Sequence, residues 1–145
     1  AVALKKMVND NKLTALAYYY KSEPQNSYEQ LAANLIIGNT LLTSSGIPLA
    51  GEADLKTAAA MLIMKNIGGG GSFAEIHPFD IESDVVLIGH DGPHNIQIAE
   101  GKPRLRKLKK YHGKSGEPGY HIYHLQSKCT CKKGRRQRIY QLLFQ

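Results

Sequence analysis

The sequence predicts an α/β fold, and three observations predict it. Helix-like and strand-like stretches alternate along the first half of the chain, several apolar runs have strand length, and residues that start and stop helices sit at the expected ends. Helix, strand, helix, strand is the order of a parallel layer with helices packed on it. VALKKMVNDN reads as the first helix, and LTALAYYY at residues 13–20 as a buried strand. KSEPQNS is a loop of turn formers, after which Ser27 is placed to cap a helix through SYEQLAANLIIGNTLL. A short strand near IPLA follows. Asp54 is then a natural N-cap for DLKTAAAMLIMKN, whose alanines and methionines favour helix, and the four glycines at 68–71 end it. VVLIG at 85–89 reads as a second buried strand, and LRKLKKYHGK beyond Lys102 as an exposed antiparallel strand. KCTCKKGRRQRIYQLLFQ shows no clear period, and no internal repeat is present.

Composition narrows the class. The 145 residues are one domain's worth of chain, and 42% hydrophobic with 21% charged residues argues against global disorder. No apolar run approaches the roughly 20 residues that cross a bilayer, and no signal-peptide pattern is present, so no membrane partner is expected. Cys129 and Cys131 are too few and too close for a disulfide framework, which makes a reducing cytoplasm the expected compartment. Ala1 opens the chain without a methionine, already in helix-like sequence, as expected of a processed chain or a portion of a longer one. Charge divides sharply along the chain. Residues 1–101 carry 6 Lys and Arg against 11 Asp and Glu, whereas residues 102–145 carry 13 against the single Glu117. Such an end binds phosphate backbones by releasing their counterions, or else is a solubilising tail.

Three potential metal ligands fall at the ends of regular elements. Glu52 lies where a short strand hands over to a helix, Glu75 follows the glycine loop, and His90 closes VVLIG and opens the turn HDGPH. Ligands of open α/β sheets gather at such strand ends. Two carboxylates and an imidazole suit an oxygen-preferring divalent ion such as Mn²⁺ or Mg²⁺, and paired carboxylates can divide acid and base work. Each also has a plain structural reading, as a helix-dipole or capping residue or as the end of a turn. GGGGS lacks the Lys-Ser/Thr continuation of a phosphate-binding P-loop, so a simple loop is the better reading. Cys129 and Cys131 with His121 and His124 form only a weak zinc pattern, because CxC has no second pair.

GEADLKTAAAMLIMK, GGGGSFAEIHPFD, VVLIGHDGP and IAEGKPRL, in this order across residues 46–108, resemble the central stretch of the L-arabinose/L-fucose isomerase family. The resemblance implies an aldose–ketose isomerase acting on a pentose or deoxyhexose through an ene-diol. It implies Glu52, Glu75 and His90 as ligands of Mn²⁺ (or Mg²⁺ or Co²⁺), with Glu52 and Glu75 moving the proton. It also implies a homo-oligomer with a small-molecule sugar substrate. On this reading residues 1–50 end a Rossmann-like parallel domain. Residues 51–126 hold the metal and sugar site and begin a β-rich, antiparallel barrel-like region, and residues 127–145 form a basic tail. The chain departs from the family in that HDGPH replaces a His-Met-Leu-Glu continuation, members are several times longer, and His112, His121 and His124 do not match the context of the family's fourth ligand. A truncated or frame-shifted end would explain the change after YHGK. Two alternatives accompany this expectation: an inactive sugar- or metal-binding remnant, and a nucleic-acid-associated protein acting through residues 102–138.

Overall fold

The computed structural model describes residues 1–19, 27–82, 85–90, 92–99, 101–110, 120–132 and 139–144. The first helix, α1 (Val2–Asp10), buries Leu4 and Val8, one turn apart on the same face, against Leu42. Leu16, Leu35 and Ile47 close over this cluster. Two helices, α2 (Ser27–Asn34) and α3 (Ile36–Ser44), replace the single helix expected there. The break is at Leu35, whose N–H bonds to the Ala32 carbonyl three residues back, a tighter turn than the α-helix makes. α3 is buried nearly all round, through Ile36, Asn39, Thr40, Leu42 and Thr43 among others. Gly38 lets α1 approach it, since a Cβ there would stand 2.6 Å from Leu4 Cδ1.

The expected parallel pair is present but minimal. β1 (Leu16–Ala17) and β2 (Leu49–Ala50) pair in parallel over two residues each. The run at 13–20 is therefore a strand only at its centre; Leu13 and Tyr19 are exposed, and Tyr20 lies outside the described residues. No third strand joins this pair among the described residues, so a Rossmann layer is not present in them. The chain folds as helices with small sheets.

Asp54 caps α4 (Leu55–Asn66) as expected. Its carboxylate accepts from the Thr57 N–H at 2.9 Å and the Thr57 hydroxyl at 2.6 Å. Those two bonds, the hydroxyl first, hold the Asp54 carboxyl below its ordinary pKa. The capping contribution is thus present above the unfolded-state pKa and lost as pH falls through the folded-state value. Accordingly, Asp54→Ala is expected to lower the melting temperature by a few degrees at neutral pH. The gap should shrink progressively as pH falls through the carboxylate range; a gap independent of pH in thermal melts would refute the capping role. At the far end the Gly68 N–H bonds to the Lys65 carbonyl and the Gly69 N–H to that of Met64, with Gly68 at φ +81°. This Schellman closure needs a left-handed residue, which the first glycine of the run supplies.

The second half is a five-stranded sheet in the order β3-β4-β7-β6-β5. Its strands are β3 (Glu75–Asp80), β4 (Val85–Gly89), β5 (Arg104–Lys110), β6 (Tyr120–Lys132) and β7 (Ile139–Phe144). All neighbours are antiparallel except β4 and β7. The β-rich half is thus an open mixed sheet with β3 and β5 at its edges, and no closed barrel is formed by the described residues. β3 was not expected, and it contains Pro78, which cannot donate to a ladder. The β3–β4 register slips between Ile76 and Phe79, around that proline, as an edge strand tolerates. Residues 127–145, read from sequence as a basic tail, supply the end of β6 and all of β7. They pair with each other, and β7 also with the distant β4, contacts that leave no local period to announce them. A small cluster of Ala50, Ala58 and Phe73, with Ala17 and Met61 against it, packs across the expected boundary at residue 50. Among the described residues no helix is long and apolar enough to cross a membrane.

Candidate functional site

Glu52 stands in the turn that leaves β2. It and Ala53 both have φ +55°, a left-handed conformation that costs a non-glycine residue on the order of 1 kcal/mol. The turn is fastened by the Ala53 N–H to the Tyr18 carbonyl and the Asp54 N–H to the Gly51 carbonyl, both at 2.9 Å. The Glu52 residue is exposed. Two adjacent strained residues at a strand end are a signal of function that sequence cannot display.

Glu75 opens β3 directly after the glycine loop, and its register partner is Gly89. His90 follows Gly89, so the β3–β4 pairing itself brings the two side chains together. His90 Nδ1 lies 3.4 Å from Glu75 Oε2, a long contact between a buried imidazole and a carboxylate still 45% exposed. The His90 ring meets Phe73 edge-on, with centroids 4.7 Å apart and planes at 81°. Two glycines make room for the imidazole. A Cβ on Gly51 would stand 3.4 Å from His90 Cε1 and 3.0 Å from Phe73 Cε1, and one on Gly92 would stand 2.5 Å from His90 Nε2. All three sequence motifs therefore converge on one imidazole: Gly51 beside Glu52, Phe73 two residues before Glu75, and Gly92 two residues after His90.

The convergence is incomplete at the level of ligands. Glu75 and His90 are together, whereas among the described residues no three His, Cys, Asp or Glu side chains are grouped to hold a metal ion. Glu52 thus stands next to the cluster by backbone, not by carboxylate. The zinc pattern fares worse. Cys129 and Cys131 lie on β6 with His121 and His124, and eight residues of strand put Cys129 about 26 Å from His121.

Two residues important to the site's construction were missed in the sequence. His94 is 1% exposed, and its Nδ1 lies 3.3 Å from the Gly92 carbonyl, which accepts from it in the tautomer that carries the proton there. Asn95 ties its loop to the glycine loop, giving its N–H to Ser72 Oγ at 3.0 Å and its Nδ2 to the Gly71 carbonyl at 3.1 Å. Ile96 adds an N–H bond to Ser44 Oγ on α3. These bonds hold the loop after His90 against the loop before Glu75. Nothing in the spacing of His94 or Asn95 distinguishes them from ordinary turn residues. A cavity of about 90 Å³ lies behind the glycine loop, lined by Thr43, Met61, Lys65 and Asn95 among others, and it includes none of Glu52, Glu75 and His90. This cavity and the candidate chemistry therefore do not coincide. A void of that size suits a few waters better than a sugar.

No protein-family model and no curated protein matches this chain.

Proposed function

We propose that the chain is a metal-dependent aldose–ketose isomerase, or a portion of one, converting a pentose or deoxyhexose aldose into its ketose through an ene-diol. The observation that carries this reading is the meeting of Gly51, Phe73, Glu75 and Gly92 around His90. Those residues come from the three motifs that resemble the L-arabinose/L-fucose isomerase family. The reading carries with it a Rossmann-like origin for residues 1–50, an antiparallel barrel-like completion of the β-rich half, a cytoplasmic setting and a homo-oligomer.

The donor set suits the proposed ion. Carboxylate oxygens and one imidazole are ligands that Mn²⁺, Mg²⁺ or Co²⁺ accepts. Glu52, Glu75 and His90 would hold it, with the exposed Glu52 side chain turning toward the pair. The ion, when bound, supplies a Lewis acid for the sugar carbonyl and acidifies the neighbouring C–H. The protein's own contribution is positional. Phe73, Gly51 and Gly92 hold the imidazole in one orientation, and Glu75 presents a half-exposed carboxylate beside it. Glu52 and Glu75 would take and return the proton between C1 and C2, one as base and the other as acid.

Mn²⁺ binding followed by electron paramagnetic resonance tests the site. The free-ion signal should fall on adding the chain and persist in the Glu52→Gln/Glu75→Gln variant. Equal loss in both, or binding by neither folded protein, would remove the metal site from this chain. The exposed Glu52, standing outside the Glu75–His90 pair, favours one second reading: a folded sugar- or metal-binding remnant that binds without turnover. Mn²⁺ binding with no isomerisation of any pentose or deoxyhexose would select it.

A further inference from the structure

The cavity behind the glycine loop takes no part in the proposed isomerisation, yet its lining has a definite chemistry. The lining comes from the last turns of α3 and α4 and from the loops beside them, with Thr43, Gly46, Lys65, Gly70, Gly71 and Asn95 among its residues. Thr43 is 5% exposed, and among the described residues its Oγ1 is a buried oxygen with no hydrogen-bond partner. A helical hydroxyl ordinarily bonds the carbonyl one turn back, as the neighbouring Ser44 does to Thr40 at 2.7 Å. An unpaired buried hydroxyl is costly, and the adjoining cavity is where it can find a partner. Lys65 is exposed, and its stem reaches across to the end of α3, since Cε stands 3.8 Å from where a Gly46 Cβ would lie. It forms no ion pair among the described residues. The N–H groups of Gly70 and Gly71 also make no hydrogen bond among them.

We propose that this cavity binds a phosphate group. A lysine ammonium, two successive peptide N–H groups and a buried hydroxyl can all donate, which suits a ligand that only accepts and carries negative charge. The nearby carbonyls that would repel such a ligand are engaged. That of Thr43 accepts from the Gly46 N–H, that of Met64 from Gly69, that of Lys65 from Gly68, and that of Gly71 from Asn95 Nδ2. Among the described residues no Asp or Glu lines the cavity. Its volume of about 90 Å³ is the share of roughly three waters, room for one small oxyanion and too little for a sugar ring. The phosphate is either the free ion or the phosphoryl group of a larger molecule. The site contains none of Glu52, Glu75 and His90, so it stands or falls apart from the proposed isomerase.

The test is isothermal titration calorimetry of the full chain with inorganic phosphate, at an ionic strength held constant with chloride, beside thermal melts. Saturable binding is expected. Lys65→Met should weaken it roughly tenfold or more, as loss of a charge-assisted bond does. Lys56→Met, which removes an exposed lysine from the other end of α4, should leave it nearly unchanged. Thr43→Val should weaken binding several-fold and yet raise the melting temperature of the phosphate-free chain, because it removes an unpaired buried hydroxyl. Should that variant not fold by circular dichroism, the two lysine variants, both at exposed positions, decide alone. Absence of saturable binding would overturn the proposal, leaving a cavity that holds only water. So would equal losses from Lys65→Met and Lys56→Met, which would show diffuse attraction, or wild-type affinity in a folded Thr43→Val. Ribose 5-phosphate separates the two sources. Tighter binding than that of inorganic phosphate assigns the phosphoryl group of a larger molecule, and weaker binding assigns the free ion.

Discussion

Glu75→Gln is expected to reduce Mn²⁺-dependent aldose-to-ketose conversion by about 10²–10⁴-fold, the usual contribution of a positioned acid or base. The amide keeps the size of the side chain but neither accepts a proton nor holds a divalent ion as a carboxylate does. Its fold cost should be small, because the Glu75 side chain is 45% exposed and its contact with His90 Nδ1 is long at 3.4 Å. Glu52→Gln should behave alike, since its side chain is exposed and the turn around it is fastened by backbone bonds. The measurement is turnover of pentoses and deoxyhexoses with added Mn²⁺ by the chain in its assembled form, beside a thermal melt of each variant. Wild-type turnover in either variant would end the isomerase assignment. Equal losses of activity and melting temperature would instead make Glu75 a structural residue.

Phe73→Ala is expected to give the largest loss of stability. Phe73 is only 6% exposed and fills the cluster with Ala50 and Ala58, against Ala17 and Met61. Its apolar neighbours are mostly alanines, whose methyl groups are too short to move into the space, so much of the cavity should stay open. Phe-to-Ala changes in such settings cost about 3–5 kcal/mol, a large part of the roughly 5–15 kcal/mol that holds a domain folded. In a chain of this size that is a drop of roughly 10–20 °C in melting temperature. Phe73→Leu should lose much less, since it retains most of the apolar volume. Because the ring also meets His90 edge-on, the alanine variant should weaken Mn²⁺ binding even below its melting transition, while the leucine variant keeps part of it. A shift under about 2 °C for Phe73→Ala would mean that the cluster does not support the fold.

Much of the helical architecture was legible in the residues themselves. Asp54 with Thr57 three positions on, and the glycines after Ile67, mark both ends of α4, because caps are made by groups within a few residues of one another. Leu4 and Val8 announce the buried face of α1 for the same reason. The strand runs were read less well. LTALAYYY has the composition of a full strand, yet only Leu16 and Ala17 pair, because strand length depends on how much partner β2 offers. The helix expected through residues 27–42 divides at Leu35, between Asn34 and Ile36, where no glycine or proline marks a break. β7 was invisible, since IYQLLF shows no alternation of its own and one of its two partners, β4, lies some fifty residues back in the chain.

The sequence by itself determined the α/β class, the capped helix α4, the charge division at residue 102 and the three short motifs bearing Glu52, Glu75 and His90. Each depends on residue type and on spacing within one helix turn or one strand, which the chain writes in order. Only the tertiary structure decided that Glu75 and His90 meet while the Glu52 carboxylate stands outside, that His94 and Asn95 hold the loops around them, and that the basic end pairs into the sheet as β5, β6 and β7. Those outcomes follow from strand register and loop docking. Register is a choice among pairings of distant segments, and a slip of one residue would exchange every face.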